Sequence, residues 1–308
     1  MFDISFVTLS WNSDAYLQRC LASIMAQCAT EGLRGEILVV DNGSQDGSVD
    51  TVRAFGDRFP GCVRLTTLAQ NRGTTFARNL ALTQAQSPVV CVIDSDTEFL
   101  SGSLRSIIKL LRDDEVGIVA PRLLLPDLTV QHSVKRFPTF IDKLRKVPRI
   151  LTGRPVPRTD CYPSFPFEVR TPVESAISAC WFFRKDLLGR VGFLDEAIFY
   201  APEDVEYSMR VWRSGRQVVY DPSLVLLHHT QQISHRRPFS MLALSHLKGL
   251  LHYHRKHGGW LRRQELAVPA AARPYDTAQQ SQRPGDGRCA WRLTGLDAKI
   301  RSVEVPQT

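Results

Sequence analysis

Short apolar runs alternate with segments of helical period through the first two-thirds of the chain. This alternation restricts the fold more than any other feature. Ile4 to Leu9 is strand-like, and Leu17, Cys20, Leu21 and Ile24 then recur at i, i+3, i+4 and i+7, the mark of one buried helix face. Ser13 or Asp14 is placed to cap that helix. Ile37 to Val40 is a pure β-branched and leucine run that stops at the turn cluster Asp41-Asn42-Gly43-Ser44. A short helix over Val49–Phe55, a strand over Val63–Leu68 and a helix over Thr75–Thr83 follow. Val89 to Ile93 is a buried strand that runs into Asp94, and Leu104, Ile107, Ile108 and Leu111 mark a further helix with Ser101 as its N-cap. Strands alternating with helices predict an α/β layer fold with a largely parallel sheet. Ligands of such folds sit outside the carboxyl ends of the strands. Asp41, Asp94 and Asp96 fall at those ends.

Residues 126–172 break the pattern. Eight prolines recur there among basic and aromatic residues, which predicts a long, partly mobile excursion over the active site. Regular structure returns from Val173. Val205, Met209 and Trp212 line one helix face closed by Gly215, Val218–Tyr220 and Leu224–Leu227 read as two strands, and Phe239–Tyr253 as an amphipathic helix. Beyond about residue 266 large apolar residues are scarce, and 266–308 is expected to be a disordered tail behind a domain spanning 1–265.

The charge balance is +8, from 39 Lys and Arg against 31 Asp and Glu, and it is clustered. One crowd lies in 135–158 and a second in 236–263, where Leu242, Leu244, Leu247, Leu250 and Leu251 are interleaved. Such patches attract anionic surfaces, and the second suits a helix lying on an anionic membrane; a solvated face is the plainer explanation. Seven cysteines show no C-x-x-C pair and no metal-ligand spacing, so reduced thiols are expected. No apolar run approaches the ~18 residues of a membrane helix. With no signal-like N-terminus, these features point to the cytoplasm, with peripheral contact at the inner face of the membrane.

The acids carry the chemistry. Asp94-Ser95-Asp96 places two carboxylates two residues apart, pointing one way if the chain stays extended. Hard oxygen ligands of this kind suit Mg²⁺ or Mn²⁺ bridging phosphates, and a turn with a helix cap is the alternative. Asp41 can accept hydrogen bonds from a base or a ribose, or simply close an Asx-turn. Asn71-Arg72-Gly73 with Ala77-Arg78-Asn79 would bring small residues and an Arg near a phosphate. Glu203-Asp204 opens a helix, where acids either cap or act as a fixed base. His228-His229 ends a leucine-rich strand and could face a metal or serve the structure alone.

In this order the pieces resemble the family 2 glycosyltransferases of the GT-A fold, with a flavour of the rhamnosyltransferase and cell-wall group. The matching text is Val7-Thr8-Leu9-Ser10-Trp11-Asn12, Val39-Val40-Asp41-Asn42-Gly43-Ser44, Asn71-Arg72-Gly73 with Ala77-Arg78-Asn79, and Ile93-Asp94-Ser95-Asp96. It continues with Val191-Gly192-Phe193-Leu194-Asp195-Glu196, Glu203-Asp204 with Arg210, and Leu227-His228-His229. The resemblance covers about residues 3–260. It implies a Rossmann-like, mixed but mostly parallel sheet flanked by helices. It implies an inverting transfer of sugar from a nucleotide-diphosphate sugar, such as dTDP-rhamnose or a UDP-sugar, to a glycan or lipid-linked acceptor, with no nucleic-acid partner. Thr8, Ser10, Asp41, Asn71, Gly73, Arg78 and Asp94 would hold the donor. Asp96, with Asp94 and His228, would bind a divalent metal, His229 being the fallback. Asp204 would be the base, supported by Glu203. The chain departs from the family where Glu206 stands for a shorter acid, where Ala81 replaces a common Gly, and at Ser178-Ala179-Cys180-Trp181 on the acceptor side. A sugar-phosphate nucleotidyltransferase would need a glycine-rich loop with Lys or Arg near the N-terminus, and residues 8–16 have none of these. A non-catalytic module on the same fold should lack an acid at 94, 96 or 204, and all three are present.

Overall fold

The computed structural model describes residues 2–151, 160–162, 164–230, 241–264 and 266, with backbone alone for 146–151 and 241–243. These belong to the first of two compact units, 1–275; the second, 276–308, lies outside the described residues. The expected tail therefore falls outside them, apart from Leu266.

The chain runs β1 (Ile4–Ser10), α1 (Asp14–Thr30), β2 (Gly35–Asp41), α2 (Ser48–Arg58), β3 (Val63–Thr67), α3 (Thr74–Gln84) and β4 (Val89–Asp94). Then come β5 (Thr97–Ser101), α4 (Leu104–Leu110), β6 (Val116–Leu124), β7 (Val134–Lys135), α5 (Phe140–Leu151), β8 (Thr171–Pro172) and β9 (Ser175–Ala176). The last elements are β10 (Cys180–Arg184), α6 (Asp186–Val191), α7 (Glu203–Arg213), β11 (Gln217–His228) and α8 (Met241–His257). One sheet has the order β3-β2-β1-β4-β10-β6-β11-β5, with β8 on β11; β7 and β9 form a separate pair. Strands β1 to β4 are mutually parallel, whereas β10 runs antiparallel to β4 and β6. The sheet is thus mixed but largely parallel and flanked by helices. The strand order reverses between β1 and β4, the switch point where open α/β sheets leave a crevice beyond the strand ends.

Burial on both faces explains the unbroken apolar runs. All seven residues of β2 are buried. Alternate residues feed two clusters. Ile4, Phe6, Ile37, Val39, Cys91 and Ile93 pack under Leu17, Cys20, Leu21 and Ile24 of α1. Val7, Leu38, Val40, Val90 and Val92 pack with Ala77 and Ala81 of α3 and with α7. Each fully buried Leu or Ile contributes roughly 1.5–3 kcal/mol, so the α1 stripe alone holds that helix firmly.

Several local expectations are corrected. Ser13 occupies the N-cap position of α1, but its hydroxyl makes no cap bond; it accepts from Trp11 N and Ser95 Oγ instead. Ser101 still belongs to β5; Gly102, at φ 104°, makes the turn, and Ser103 caps α4 by accepting from Ser106 N. The two strands expected over 218–227 are one strand, β11, whose register shifts between Asp221 and Val225. The described part of the 126–172 excursion is no loose cover, because Val134, Phe137, Tyr162 and Phe165 belong to the α3-side core. The mobility expected there falls partly on 152–159 and 163, outside the described residues. Leu250, Tyr253, His254 and His257 of α8 are buried, while Leu244 and Leu247 are about half exposed. A Cβ on Gly249 would strike the Ala201 carbonyl oxygen, so α8 lies flush on the segment that introduces α7.

Candidate active site

Asp94 ends β4, and Ser95 and Asp96 form the turn into β5. The two carboxylates therefore converge through a turn rather than through strand alternation. The His229 N–H donates to the Asp96 carbonyl at 2.9 Å, tying the end of β11 to that turn and placing His228 beside it. Ligand atoms of Asp94, Asp96 and His228 all lie within 4.8 Å of one another. His228 Nε2 is 3.4 Å from Asp96 Oδ1, and its Nδ1 lies 2.8 Å from Gln131 Oε1. An amide oxygen only accepts, so Nδ1 carries a proton, and Nε2 is the ring nitrogen turned to the acids. Two hard oxygen donors and one oriented imidazole fit a divalent cation such as Mn²⁺ or Mg²⁺. Burial lowers the His228 pKa, but the hydrogen bond and charge of Asp96 and the charge of Asp94 outweigh it and raise it. His229 turns the other way, bonding Glu98 at 2.6 Å and stacking on Tyr16.

Arg78 is the second centre. Its side chain is 3% exposed and points to the same sheet face as Asp94. One terminal nitrogen donates to Asp94 Oδ1 at 2.5 Å; the other donates to Glu203 Oε1 at 3.1 Å and Ser178 Oγ at 2.8 Å. Arg78 thus bridges Asp94, at the end of β4, to the start of α7. Burial alone would lower its pKa, but Asp94 and Glu203 raise it, so it remains a cation. Glu203 is the first residue of α7 and is buried. Burial, then the charge of Asp204, push its pKa up to about 7 against Arg78 and Ser178. Asp204 is half-buried, accepts from Val205 N at 2.8 Å and lines a small pocket.

The remaining donor-side residues divide between the faces. Thr8 pairs with Val39 and Ile93, and Ser10 with Asp41, so these side chains lie on the α1 side, opposite Asp94. The Thr8 and Ser10 hydroxyls are fully buried and have no hydrogen-bond partner among the described residues. Asp41 accepts from the Ser44 backbone N–H at 2.9 Å and its hydroxyl at 2.5 Å, which is the Asx-turn arrangement. Asn71 Oδ1 accepts from Asn42 Nδ2 and Gly73 N. Gly73, at φ 91°, begins α3 against Phe199, where a side chain would collide. Asn79 binds both the carbonyl and the N–H of Leu194, joining the two motifs that carry these residues. Gln131 and Glu98 belong to none of the motifs read in the sequence, and each finds its histidine only through the fold.

A mixed, mostly parallel sheet flanked by helices, with a group of residues that could hold a divalent cation beyond β4 and an acid pair at a helix N-terminus, is the arrangement of the GT-A glycosyltransferase class. Residues 5–192 match the profile of Glycosyl transferase family 2, and the chain belongs to that family. It is 30% identical over 272 residues to an N-acetylglucosaminyl-diphospho-decaprenol L-rhamnosyltransferase of Mycobacterium tuberculosis, covering 83% of this chain and 85% of the relative. It is 29% identical over 163 residues to the succinoglycan biosynthesis protein ExoU of Rhizobium meliloti, covering 51% and 45%. In fold it is similar to GalNAc-T7 solved with UDP, GalNAc and Mn²⁺, at TM-score 0.65 and 14% identity, covering 83% of this chain and 48% of that one. It is also similar to a mannosyltransferase of Pyrobaculum calidifontis solved with GDP-Man and Mn²⁺, at TM-score 0.55 and 19% identity, covering 83% and 66%. The chain is a glycosyltransferase.

Proposed function

We propose that this enzyme transfers a sugar, with inversion, from a nucleotide-diphosphate sugar to a lipid-linked or glycan acceptor, with Asp204 as the base. The donor expected is dTDP-rhamnose or a UDP-sugar; the rhamnosyltransferase relative, whose name specifies a diphospho-decaprenol acceptor, supports rhamnose and a lipid-linked acceptor. The observation that carries the reading is the joining of Asp94, Asp96 and His228 to the start of α7 through Arg78. A divalent cation held by those three side chains would neutralise diphosphate charge as the leaving group departs. The acceptor hydroxyl must lose a proton as it attacks the anomeric carbon, and a positioned carboxylate can take it. Glu203 is poorly placed to accept that proton, because its carboxylate is buried and already engaged by Arg78 and Ser178. Asp204 is more open and stands in the first turn of α7, whose axis fixes its direction. We also propose peripheral contact with an anionic membrane through α8, whose half-exposed Leu244 and Leu247 lie within one turn of the exposed Lys248.

Asp204→Asn keeps shape and removes basicity. It is expected to lower kcat by about 10²–10⁴-fold with donor affinity nearly unchanged, and Glu203→Gln should cost less. Normal turnover by Asp204→Asn with a dead Glu203→Gln would move the base by one residue; normal turnover by both would remove it from α7.

A further inference from the structure

The Asp94-Ser95-Asp96 turn is held from two sides. On the sheet side the backbone of its two acids is bonded to residues at or beside the ends of β5, β10 and β11. Asp94 N donates to the Ala179 carbonyl at 2.9 Å, Thr97 Oγ1 to the Asp94 carbonyl at 2.8 Å, and His229 N to the Asp96 carbonyl at 2.9 Å. On the α1 side the tie is the middle residue. Ser95 Oγ donates to Ser13 Oγ at 2.9 Å, and both residues are buried. Ser13 belongs to the corner between β1 and α1, and the loop between β2 and α2 fixes that corner. Asn12 has a left-handed backbone, φ 49°, uncommon for a residue other than glycine. Two bonds to the loop hold it there: Asn12 N donates to Ser44 Oγ at 2.9 Å, and Gln45 N donates to Asn12 Oδ1 at 2.8 Å. Ser13 N donates to Ser48 Oγ at 2.9 Å, and the Ser44 hydroxyl donates to Asp41 at 2.5 Å. Side-chain bonds therefore lead from Asp41 through Ser44 and the Asn12-Ser13 corner to Ser95, between the two candidate metal ligands.

We propose that Ser95 is a positioning residue: its bond to Ser13 sets the direction of the Asp94 and Asp96 carboxylates and makes the metal site answer to the β2–α2 loop. The inference rests on the metal reading above and adds a route by which the loop beside Asp41 governs metal affinity. Buried hydrogen-bond networks with fixed geometry carry energetic coupling of this kind. A ligand that settles against that loop would tighten the metal site without touching the ion.

The test is Mn²⁺ binding to the full chain, followed by electron paramagnetic resonance of the free ion with no nucleotide present. Ser95→Ala should weaken binding about 2–10-fold, the loss of one neutral hydrogen bond. Ser13→Ala should weaken it similarly, and the double variant should lose no more than the larger single loss, because the same bond is broken. Ser44→Ala tests the route. It should weaken Mn²⁺ binding about twofold or more in the wild-type background and not at all once Ser95 is replaced by alanine. Thermal denaturation of each metal-free variant is the control, since a merely structural role would lower Tm and leave Mn²⁺ affinity unmoved. Unchanged Mn²⁺ affinity in Ser95→Ala overturns the proposal. Equal losses from Ser44→Ala in both backgrounds overturn it likewise, because the loop would then act by another path. Wild-type protein that binds no Mn²⁺, or Mn²⁺ that stays bound after Asp96→Ala, would instead overturn the metal reading itself and take the positioning role with it.

Discussion

Glu206→Gln should loosen α8 from the domain, by an amount the structure sets. Glu206 is 1% exposed and sits one turn into α7. It accepts from Arg210 on its own helix at 2.8–3.0 Å, and from two groups of α8, His257 Nε2 at 3.0 Å and Lys256 Nζ at 2.9 Å. Burial pushes its pKa upward, but the His257, Arg210 and Lys256 interactions outweigh that and bring it to about 2. A drop from the ordinary 4.5 to about 2 favours the charged form by about 3 kcal/mol, at 1.36 kcal/mol per pH unit. Gln keeps the volume and forfeits this, so the variant should lose about 3 kcal/mol, or roughly 6–12 °C in Tm for a domain of this size. The sign with pH follows from a depressed carboxylate. The stabilisation is complete above about pH 4.5 and is lost as pH falls through about 2, where wild type and variant should converge. Glu206→Asp keeps the charge but withdraws it from α8 by one methylene, so it should fall between. Thermal denaturation read by circular dichroism, with amide exchange along 250–257, measures both effects. A Glu206→Gln protein melting within about 1 °C of wild type at neutral pH, with α8 exchange unchanged, would refute the reasoning.

Two further outcomes are expected. Gln131→Leu leaves every candidate metal ligand in place but frees the His228 ring, so Mn²⁺ affinity measured by calorimetry should fall about 10–100-fold, and an unchanged affinity would exclude Gln131 from orienting that ring. The protein should sediment with anionic liposomes and leave them as salt rises, since the Debye length contracts to about 3 Å at 1 M. Equal binding to neutral liposomes, or none, would leave Leu244 and Leu247 as ordinary surface residues.

The sheet was legible because its strands are buried on both faces: β2 and β4 carry continuous apolar runs, β1 has only small hydroxyl residues between its apolar ones, and the strand ends mark where polar chemistry begins. The α1 stripe was legible for the same reason, its period being set by one buried face. Caps and turns were not. Ser101 and Ser103 both suit a cap, and only Gly102 at positive φ and the extent of β5 decide between them. The 126–172 stretch misled because composition describes the whole segment, whereas burial is decided residue by residue; Phe137, Tyr162 and Phe165 reach the core between prolines and cations. At the site, the sequence could nominate Asp94, Asp96, His228 and Glu203 but not their partners. Arg78 lies 125 residues from Glu203, and His228 lies 97 from Gln131. Long-range pairing of that kind leaves no local spacing to read. Glu206, noted only as longer than the usual acid, has in the fold a use for the extra methylene, the span to α8.

One guanidinium serves both Asp94 and Glu203, and thermodynamic reciprocity follows from that sharing. A ligand that, by changing how strongly Asp94 holds Arg78, alters the proton affinity of Glu203 is bound by that reciprocity. Protonating Glu203 must change the affinity for that ligand by the same factor. Occupancy beside Asp94 and acidity at the helix entrance would then be two readings of one equilibrium, with Arg78 shared between them.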